Sequence, residues 1–529
     1  MTARIELNRR VTSATLVSRL RSDLTAAHFS VPRLTGLWGI EADAALHRNQ
    51  RVPARRALAG LAVRLDRIEP AATLARLFLL GDPVSRADLD AAVPTLGVDG
   101  ALQLGLVAAV EQSGVRPLVD LRPYSFIDAH GAGSWWIVSD LGELALGHPL
   151  GETHVLGIGG ASRTLSGLMM PRAVKRALDI GTGCGIQAMH ASRHAEQVVA
   201  TDISVRALEL AALNAELNDI ENIEFRLGSL FEPVAGERFD HIISNPPFVI
   251  TPRAEGVPSY EYRDGGMVGD ALVEAVVRGA ADHLTPGGVA QLLGNWEYPG
   301  DADAFGRVES WLTPVDGPAA PSSELDAWII EREVQSPGEY AETWIRDGGT
   351  RPGADFDRLY DAWLNDFDAR GVRRVGFGYL LLRRSFSAPT LRRLERMPDA
   401  LGYNPAGLGA HLAECLAAHD WQAATDDARL LRTQLTVASD VTEERHYWPG
   451  EPDPTLMTLH QGSGFGRSVP LDTALAGLVG ACDGDLAVGA IIGALAQLLD
   501  AEEVALTAEL LPKVRALLVD GFLAVPEPV

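Results

Sequence analysis

The chain has 529 residues, with 46 Lys and Arg against 70 Asp and Glu, which gives a formal net charge of −24. Apolar residues make up 47% of the sequence and charged residues 22%, values typical of a globular protein of about three or four domains. This acidity excludes a protein whose whole surface binds nucleic acid, because phosphate neutralisation requires a basic surface. The charge is uneven, however, since residues 1–67 contain 12 Arg and 5 acidic residues. An arginine-rich N-terminal arm that touches RNA is therefore compatible with the acidic total.

The cysteines and the apolar runs indicate the compartment. Cys184, Cys415 and Cys482 are too few and too scattered for a disulfide framework or a C-x-x-C metal site, which favours a reducing cytoplasm. Residues 1–11 lack the apolar stretch of a secretory signal. The longest apolar run, Leu486–Leu499, is shorter than the roughly 20 residues that a membrane span needs. We therefore expect a cytoplasmic protein without a membrane segment, and its oligomeric state stays open.

The first predicted domain covers residues 1–150 and is mainly helical. Apolar residues at three-to-four spacing predict helices over Val11–Ala27, Val52–Leu61, Ala72–Leu80, Arg86–Pro94 and Asp99–Ser113. Short alternating stretches follow at Arg116–Leu121, Tyr124–Asp128 and Ser134–Ser139. Short helices followed by a small hairpin are typical of a winged helix, which we predict here.

The second predicted domain covers residues 151–385 and has the alternating pattern of an α/β fold. Strands are predicted at Ala177–Ile180, Gln197–Thr201, Ile223–Leu227, His241–Ser244, Val289–Leu293, Ala327–Glu333 and Val375–Leu382, with helices Ile186–Arg193, Val205–Leu217 and Ala271–His283 between them. A helical insert rich in Asp, Trp and Tyr occupies about residues 337–371. The alternation predicts a mostly parallel sheet with helices on both faces.

The third predicted domain covers residues 386–529 and is again mainly helical. Its helical stretches are Ala388–Ala418, Ala423–Leu435, Leu471–Gly480, Val488–Leu499 and Ala505–Asp520. Residues 441–465 are polar and contain Pro and Gly, which predicts a loop or an irregular hairpin. The pattern is compatible with a second winged helix.

The strongest chemical motif is a glycine-rich turn after the first strand of the α/β unit. It consists of Asp179, Gly181, Thr182, Gly183, Cys184 and Gly185. The glycines let a ligand approach the backbone, and Asp202, at the end of the next strand, can accept hydrogen bonds from both hydroxyls of a ribose. The spacing is G-x-G-x-G with an acid before it, which suits a cationic ligand without phosphate better than a pyrophosphate. S-adenosylmethionine combines a ribose, an amino acid end and a sulfonium, so this motif predicts it as the cofactor.

A second motif, Asn245-Pro246-Pro247-Phe248, follows the fourth strand of the unit. Sites in open parallel sheets form at the carboxyl ends of strands, so we expect Asn245 at the mouth of the site. Its side-chain oxygen and the Pro246 carbonyl can accept two hydrogen bonds from a planar nitrogen. Pro247 stiffens the turn, and Phe248 offers a ring for stacking. The motif therefore predicts a holder for an amide or an exocyclic amino group.

Together the two motifs resemble those of class I S-adenosylmethionine-dependent methyltransferases of the Asn-Pro-Pro-Phe type. This group includes release-factor glutamine N5-methyltransferases, ribosomal RNA guanine-N2 methyltransferases and adenine-N6 methyltransferases. The resemblance covers about residues 150–385 and implies a Rossmann-like sheet there, and the mainly helical flanking domains lie outside it. It also implies a set of cofactor-binding residues: Asp179, Gly181, Thr182, Gly183 and Gly185 around the cofactor, Asp202 at its ribose, Gly228 and Ser229 beside its adenine, and Ile203 and Asn245 as further cofactor contacts. The residues Asn245, Pro246, Pro247 and Phe248 would hold the target nitrogen.

The substrate side is less sharply defined by the sequence. Tyr262 and Arg263 follow the catalytic turn in a loop that is either a cover over the substrate or an ordinary solvated loop. His241 is interpreted as a core or edge histidine rather than a base. The spacing of Cys, His, Asp and Glu predicts no metal site.

Several functions remain open at this point. The first is an enzyme that methylates a planar nitrogen: a protein glutamine is favoured, an RNA base (guanine N2 or adenine N6) contacted through the arginine-rich N-terminus is the alternative, and a small-molecule amine or amide is a further one. A different class is a regulatory protein in which winged helices flank a cofactor-sensing core. The intact Asn245–Phe248 turn favours the enzyme, because a sensor needs no holder for a nitrogen.

Overall fold

The structure is a computed structural model and describes residues 11–65, 69–110, 114–147, 150–258, 260–313 and 325–525. Two compact units make up the chain. The first contains Met1–Ser166 and Ala173–Arg396, and the second contains Gly167–Arg172 and Met397–Val529. Residues 1–10, the first part of the predicted arginine-rich arm, lie outside the described residues. The predicted division at residues 150 and 385 into three domains stays a prediction.

The first unit begins with short helices. They are α1 (Val11–Ala26), α2 (Val31–Trp38), α3 (Ile40–Leu46), α4 (Val52–Leu65), α5 (Pro70–Leu74), α6 (Arg86–Ala92) and α7 (Gly97–Gln103), with a π-helical turn at Ala75–Leu79. The sequence sets local boundaries, since the side chains of Ser30 and Ser85 accept the first-turn amides of α2 and α6. Apolar residues of these helices form one core cluster with residues of the α/β part, among them Met189, Leu210 and Leu217.

Strands follow these helices. β1 (Val84–Ser85), β2 (Val107–Val110) and β3 (Gly114–Pro117) form an antiparallel sheet of order β1-β3-β2, and β4 (Val119–Asp128) pairs with β5 (Gly131–Asp140) in a hairpin. The predicted helix Asp99–Ser113 was wrong in its second half. The left-handed Gly105 follows the end of the helix at Gln103, and the apolar run Val107–Val110 pairs with β3 instead. The predicted winged helix stays a prediction.

The α/β part contains one eight-stranded sheet. Its strands are β6 (Val174–Ile180), β7 (Ala195–Asp202), β8 (Ile223–Leu227), β9 (Phe239–Ser244), β10 (Leu284–Pro299), β11 (Leu325–Gln335), β12 (Val372–Arg384) and β13 (Arg392–Arg396). Its helices are α8 (Glu143–Leu146), α9 (Gly160–Leu168), α10 (Ile186–Ala191), α11 (Val205–Leu217), α12 (Glu261–Asp264), α13 (Ala271–His283), α14 (Ala304–Trp311), α15 (Pro337–Asp347) and α16 (Ala354–Arg370).

The sheet confirms the predicted Rossmann-like α/β fold. Its strand order is β13-β11-β12-β10-β9-β6-β7-β8, and β6 to β10 run parallel. β12 is antiparallel to both neighbours. The first strand, β6, lies between β7 and β9, so the order reverses there. Ligands bind at such a switch point, outside the carboxyl ends of the two strands, where both predicted motifs lie.

The helical insert predicted at about residues 337–371 is present as α15 and α16. A capping box between Ser336 and Glu339 starts α15. The two helices pack on each other and have a core of their own, which includes Tyr340, Trp363 and Phe367, and which also takes in Val249 and Ile250 from the segment after the Asn-Pro-Pro-Phe turn. The insert is therefore built directly onto the segment that follows the Asn-Pro-Pro-Phe turn.

The sheet continues beyond the predicted boundary at residue 385, because β13 pairs in parallel with β11. The predicted helix Ala388–Ala418 is therefore wrong over its first part. The apolar spacing is compatible with a helix or a strand in the segment Leu391-Arg392-Arg393-Leu394-Glu395-Arg396. It forms a strand because it pairs with β11 at the edge of the sheet. The helix starts only at Gly409.

The second unit contains α17 (Gly409–Ala423), α18 (Asp427–Arg432), α19 (Thr473–Gly480), α20 (Val488–Leu498) and α21 (Glu503–Val519). Its strands are β14 (Gln434–Val437), β15 (Val441–His446), β16 (Leu456–Gln461), β17 (Ser468–Leu471), β18 (Asp483–Ala487) and β19 (Leu523–Ala524), in two three-stranded sheets. The segment predicted as a loop or irregular hairpin forms the β15–β16 hairpin. Among the described residues, no helix is long and apolar enough to cross a membrane.

Candidate active site

The glycine-rich turn leaves its backbone open. The amides of Gly181 and Thr182 both donate to the carbonyl of Thr201, at 2.9 and 3.0 Å, which ties the turn to the end of β7. Gly181 and Gly183 have φ angles of 70° and 54°, and a Cβ at either position would meet no atom within 4 Å. The turn thus takes a conformation that favours glycine and has free space beside it for a ligand.

Asp179 lies in β6 with its carboxyl group fully buried. Its Oδ2 accepts hydrogen bonds from the Thr182 hydroxyl at 2.6 Å and from the Ala188 amide at 3.0 Å. Its Oδ1 is buried and has no partner. Burial raises the pKa of Asp179 to about 7. The group is thus half satisfied and can accept a further donor, such as a cationic ligand.

Asp202 ends β7 directly beside the turn. Its Oδ2 accepts from the Gly183 amide and its Oδ1 from the Ser204 amide, both at 2.9 Å. Burial raises the pKa of this carboxyl as well. Because a carboxylate oxygen has two lone pairs, each oxygen can still accept one hydroxyl hydrogen. Asp202 is therefore oriented for the ribose contact that the sequence predicts.

The remaining predicted cofactor residues lie at the same edge of the sheet. The Gly228 amide donates to the backbone carbonyl of Asp202 at 3.0 Å, which brings the end of β8 next to the end of β7. Ser229 follows Gly228, and its carbonyl starts the turn that continues to Glu232. Ile203 is 56% exposed, an apolar side chain left open beside the acid. These positions fit a flat apolar group next to a ribose.

The Asn-Pro-Pro-Phe turn lies across the switch point. The Ser244 hydroxyl donates to the Ile180 carbonyl at 2.9 Å, so the ends of β9 and β6 are tied together just before the two motifs. Asn245 follows, and its Oδ1 is buried without a hydrogen-bond partner. The ring of Phe248 lies 5.5 Å from that of Phe377 and 6.5 Å from that of Trp344. An acceptor atom without a partner and a group of aromatic rings therefore follow directly on the strand end that is tied to the glycine-rich turn.

The loop after this turn is exposed over residues 253–256, but its last part, Tyr260–Asp264, is anchored in the protein. Arg263 is buried, its guanidinium lies 4.4 Å from the ring centre of Tyr260, and its Nη1 donates to the Trp344 carbonyl at 2.8 Å. The ring of Tyr262 packs against His154 at 5.9 Å, and its hydroxyl is buried without a partner. Tyr262 thus presents a free polar group, whereas Arg263 joins the loop to the insert. Their predicted substrate contacts stay predictions.

Some residues around the Asn-Pro-Pro-Phe turn are not marked by any motif in the sequence. The hydroxyl of Tyr340 in α15 accepts the Ile250 amide at 3.0 Å and also bonds the side chain of Asn295 in β10. His154 and Trp344 line the same region through their ring contacts. These residues are scattered over almost 200 positions in the sequence, and no spacing rule connects them to the motif.

The structure confirms the interpretation of His241 as a core residue. It is buried in β9, and its ring nitrogens lie 3.0 Å from His194 Nε2 and from Gln291 Oε1. It pairs with Ala177, three residues before the end of β6, and so lies inside the sheet. Among the described residues, no group of three or more His, Cys, Asp or Glu side chains could hold a metal ion.

Comparisons with known proteins agree with this geometry. Residues 157–310 match the family model described as methyltransferase small domain. Residues 157–310 form a methyltransferase domain. The match confirms the resemblance that the two motifs predict, and it covers the turn, Asp202 and the Asn-Pro-Pro-Phe turn. Residues 26–118 and 413–525 match two models described as domains of unknown function, DUF7059 and DUF7782.

Individual relatives are similar over the same part of the chain. The ribosomal protein uL3 glutamine methyltransferase of Bradyrhizobium diazoefficiens is 37% identical over 149 residues, which are 26% of this chain and 46% of that protein. The ribosomal RNA small subunit methyltransferase C of Salmonella newport is 28% identical over 215 residues, 36% of this chain and 58% of that protein. The chain thus spans about half the length of the curated relatives it matches.

Among solved structures, the 16S rRNA N2 G1207 methyltransferase of T. thermophilus, in complex with AdoMet and guanosine, is 20% identical. The similarity covers 47% of this chain and 62% of that one, with a TM-score of 0.25.

Proposed function

We propose that the protein is an S-adenosylmethionine-dependent methyltransferase that acts on a planar nitrogen. The observation that carries this proposal is a pair of buried acceptor atoms without hydrogen-bond partners at the switch point. They are Oδ1 of Asn245, after β9, and Oδ1 of Asp179, in the neighbouring strand β6. Unpaired buried acceptors are costly, so a site that keeps two of them is built for a ligand that donates hydrogen bonds.

The residues present fit the cofactor. Asp179 and the open turn at Gly181 and Gly183 would hold the amino acid end, Asp202 the ribose hydroxyls, and Ile203 with Gly228 and Ser229 the adenine. The cofactor, when bound, supplies a methyl group on a sulfonium, which is a strong electrophile. The acidic turn matches the positive charge of that ligand and places no cation against it.

The chain's own contribution to methyl transfer is mainly positioning. Asn245 Oδ1 and the Pro246 carbonyl would accept the hydrogens of the acceptor nitrogen and so aim its lone pair at the methyl group. As that nitrogen gains positive charge, both acceptor oxygens interact with it more strongly, which favours the transition state over the ground state. Phe248 would stack on the flat acceptor, and Phe377 and Trp344 keep its ring in place.

A protein glutamine is the acceptor that the charges support best. In residues 397–529, 19 Asp and Glu stand against 6 Lys and Arg, which repels RNA. Several arginines of the N-terminal part are already paired within the protein, including Arg21 with Asp219, Arg33 with Glu69, Arg55 with Asp82 and Arg86 with Asp99. These ion pairs make RNA binding through the predicted arginine-rich arm less favourable. The relative named for ribosomal protein uL3 also favours the cytoplasm as the site of action.

An RNA base, guanine N2 or adenine N6, is the second candidate. The observation that favours it is the Phe248 ring, whose setting suits a nucleobase as well as an amide, together with the relative named for ribosomal RNA. A small-molecule amide and a cofactor-sensing regulator are weaker alternatives, because the first needs no acidic second unit and the second needs no acceptor at Asn245.

The test is transfer of radiolabelled methyl from S-adenosylmethionine to a cell lysate. Label that protease removes and nuclease leaves would support the protein acceptor, and the opposite result would support RNA. Label in small molecules would contradict both, and cofactor binding without transfer would support the regulator. Asn245→Ala should reduce transfer by about 10²- to 10³-fold with cofactor affinity nearly unchanged. Asn222→Ala, at the opposite edge of the sheet, is the matched control and should transfer normally.

A further inference from the structure

The edge of strand β5 is joined to helix α11 by two asparagines one helical turn apart. Asn214 Oδ1 accepts the Val138 amide at 2.7 Å, and its Nδ2 donates to the Val138 carbonyl at 2.8 Å. Asn218 repeats the arrangement with Trp136, at 2.9 and 2.8 Å. Because residues two apart on a strand face the same edge, the two amides replace a missing neighbouring strand.

Asn214 makes one further contact that Asn218 lacks. The second hydrogen of its Nδ2 group bonds the Cys184 carbonyl at 2.8 Å, in the middle of the glycine-rich turn. The side chain is completely buried, and each of its two donors has an oxygen as partner. If the Asn214 amide were rotated by 180°, its oxygen would face two carbonyl oxygens. The network therefore fixes the orientation of this side chain.

The turn also lies directly on this helix. Gly185 has a φ of 88°, and a Cβ there would come within 2.9 Å of the Ala211 side chain, one turn before Asn214. The Gly185 amide donates to the Thr182 carbonyl at 2.8 Å and closes the turn. The peptide between Cys184 and Gly185 is therefore held from both sides, by Asn214 at its carbonyl and by the turn at its amide.

We propose that Asn214 is a positioning residue that couples strand β5, through Val138, to the glycine-rich turn, through Cys184, so that cofactor affinity depends on this side chain. The inference rests on the proposed function in one respect, namely that the turn binds S-adenosylmethionine. Asn214 does not touch the cofactor; it acts through the Cys184 carbonyl. Coupling of this kind is reciprocal, so ligand binding at the turn must stabilise strand β5 in return.

The two asparagines provide a matched pair for the test. S-adenosylhomocysteine is titrated by calorimetry into the full-length protein and into Asn214→Ala and Asn218→Ala. Both substitutions break a contact with β5, so both should lower the melting temperature of the ligand-free protein. Only Asn214→Ala should weaken ligand binding, by about tenfold, the equivalent of one buried hydrogen bond. Asn214→Asp keeps the acceptor for the Val138 amide but loses both donated bonds, and it should weaken binding as well.

A second measurement uses the unaltered protein and does not depend on whether a variant folds. Hydrogen exchange is followed by mass spectrometry with and without S-adenosylhomocysteine, and the amides of residues 134–140 should exchange more slowly with the ligand. Equal affinities of the Asn214 and Asn218 variants, or unchanged exchange in β5 although the ligand binds, would overturn the coupling. Absence of any ligand binding to the unaltered protein would instead overturn the proposed function, so the two failures are distinguishable.

Discussion

The carboxyl group of Asp179 makes cofactor binding sensitive to pH. Burial raises its pKa to about 7, so in the ligand-free protein it is largely protonated below that pH. A cationic ligand beside Oδ1 stabilises the carboxylate, and binding then releases a proton. We therefore expect the affinity for S-adenosylmethionine to rise between about pH 6 and pH 8. Calorimetry in buffers of different ionisation enthalpy measures both the affinity and the released proton.

The matched variant is Asp179→Asn, which imitates the protonated group. Its affinity should be lower above pH 7 and should change little between pH 6 and pH 8. A pH profile identical to that of the unaltered protein would show that another group titrates. Asp202 is the first candidate for that group, because burial raises its pKa too.

The same residue should destabilise the ligand-free protein at high pH. The folded state binds the Asp179 proton more tightly than the unfolded state does, because the folded pKa is raised. The stability contribution is therefore fully present below about pH 4 and is lost as the pH rises through about 7. Asp179→Asn should match the unaltered protein in urea unfolding at pH 4 and exceed it at pH 8, by at most about 4 kcal/mol. A constant difference at both pH values would contradict this account.

Residues that act through local chain geometry could be predicted from the sequence. The glycines of the turn, Asp202 and the Asn245–Phe248 turn each lie at the end of a strand or directly after it, and their predicted roles depend on that strand alone. Asn214 and Tyr340 could not be predicted, because their partners lie 30 to 90 positions away and become neighbours only after the sheet has formed. The amide of an asparagine gives no sign in the sequence of which backbone it will bond.

Among the elements, the insert α15–α16 determines where the substrate side of the site ends. Tyr340 accepts the Ile250 amide, Arg358 donates to the Gly256 carbonyl at 2.9 Å, and Arg263 donates to the Trp344 carbonyl. These bonds join the insert to the start and the middle of the segment between the Asn-Pro-Pro-Phe turn and α12, and to α12 itself. The insert thus holds that segment in place beside the proposed acceptor site.

Tyr340→Phe removes the acceptor of the Ile250 amide and keeps the ring in its core. The Asn-Pro-Pro-Phe turn should then be positioned less precisely. The rate of methyl transfer should fall about fivefold to tenfold, the equivalent of one buried hydrogen bond. Cofactor affinity should not change, since no bond of Tyr340 reaches the glycine-rich turn. Label transfer at saturating cofactor, together with a cofactor titration, separates the two effects.

Tyr360→Phe is the matched control in the same insert. Its hydroxyl lies close to Gly338. Among the described residues, no hydrogen bond joins this hydroxyl to the segment that follows the Asn-Pro-Pro-Phe turn. This variant should transfer methyl groups at the normal rate. If Tyr340→Phe behaves in the same way, the bond to Ile250 has no part in positioning.

Elements were predictable where a single period dominates. Helices such as α11 and α13 and strands β6 to β9 appear close to their predicted bounds, because long apolar periods or buried runs leave few alternatives. β2 and β13 were predicted as helix, since four or five residues of mixed pattern fit both structures. Their actual structure depends on pairing with β3 and β11, which the local sequence does not contain.

At the scale of the whole molecule, the N-terminal helices share one core with α10 and α11, two helices that pack on the eight-stranded sheet. The predicted boundary at residue 150 separates two sequence patterns, but the helix α1 packs against α11, and Leu20 belongs to the same buried cluster as Leu210 and Leu217. Arg21 strengthens this contact, because its Nε donates to the Leu217 carbonyl at 2.9 Å at the C-terminal end of α11. A core shared by segments so far apart in sequence cannot be seen in the pattern of either one.

The shared core leads to a prediction about cooperativity. Leu20→Ala leaves a cavity in the cluster and should lower the free energy of unfolding by about 2–5 kcal/mol. Since the shared core joins the N-terminal helices to α10 and α11, and these two helices pack on the parallel strands, the loss should appear equally in the N-terminal helices and in strands β6 to β9, as one transition. Hydrogen exchange in increasing urea, resolved by peptide, measures this.

The control for that experiment lies in the second unit, whose apolar cluster contains Leu478 and none of the residues of the first. Leu478→Ala should destabilise the peptides of residues 397–525. Separate midpoints for α1 and for β6 in the Leu20→Ala variant would show that the N-terminal helices fold as an independent domain. A common midpoint would mean that the methyltransferase sheet of this protein depends on its N-terminal helices for stability, so that the 157–310 segment alone is not the folding unit, although it contains the proposed cofactor residues and the Asn-Pro-Pro-Phe turn.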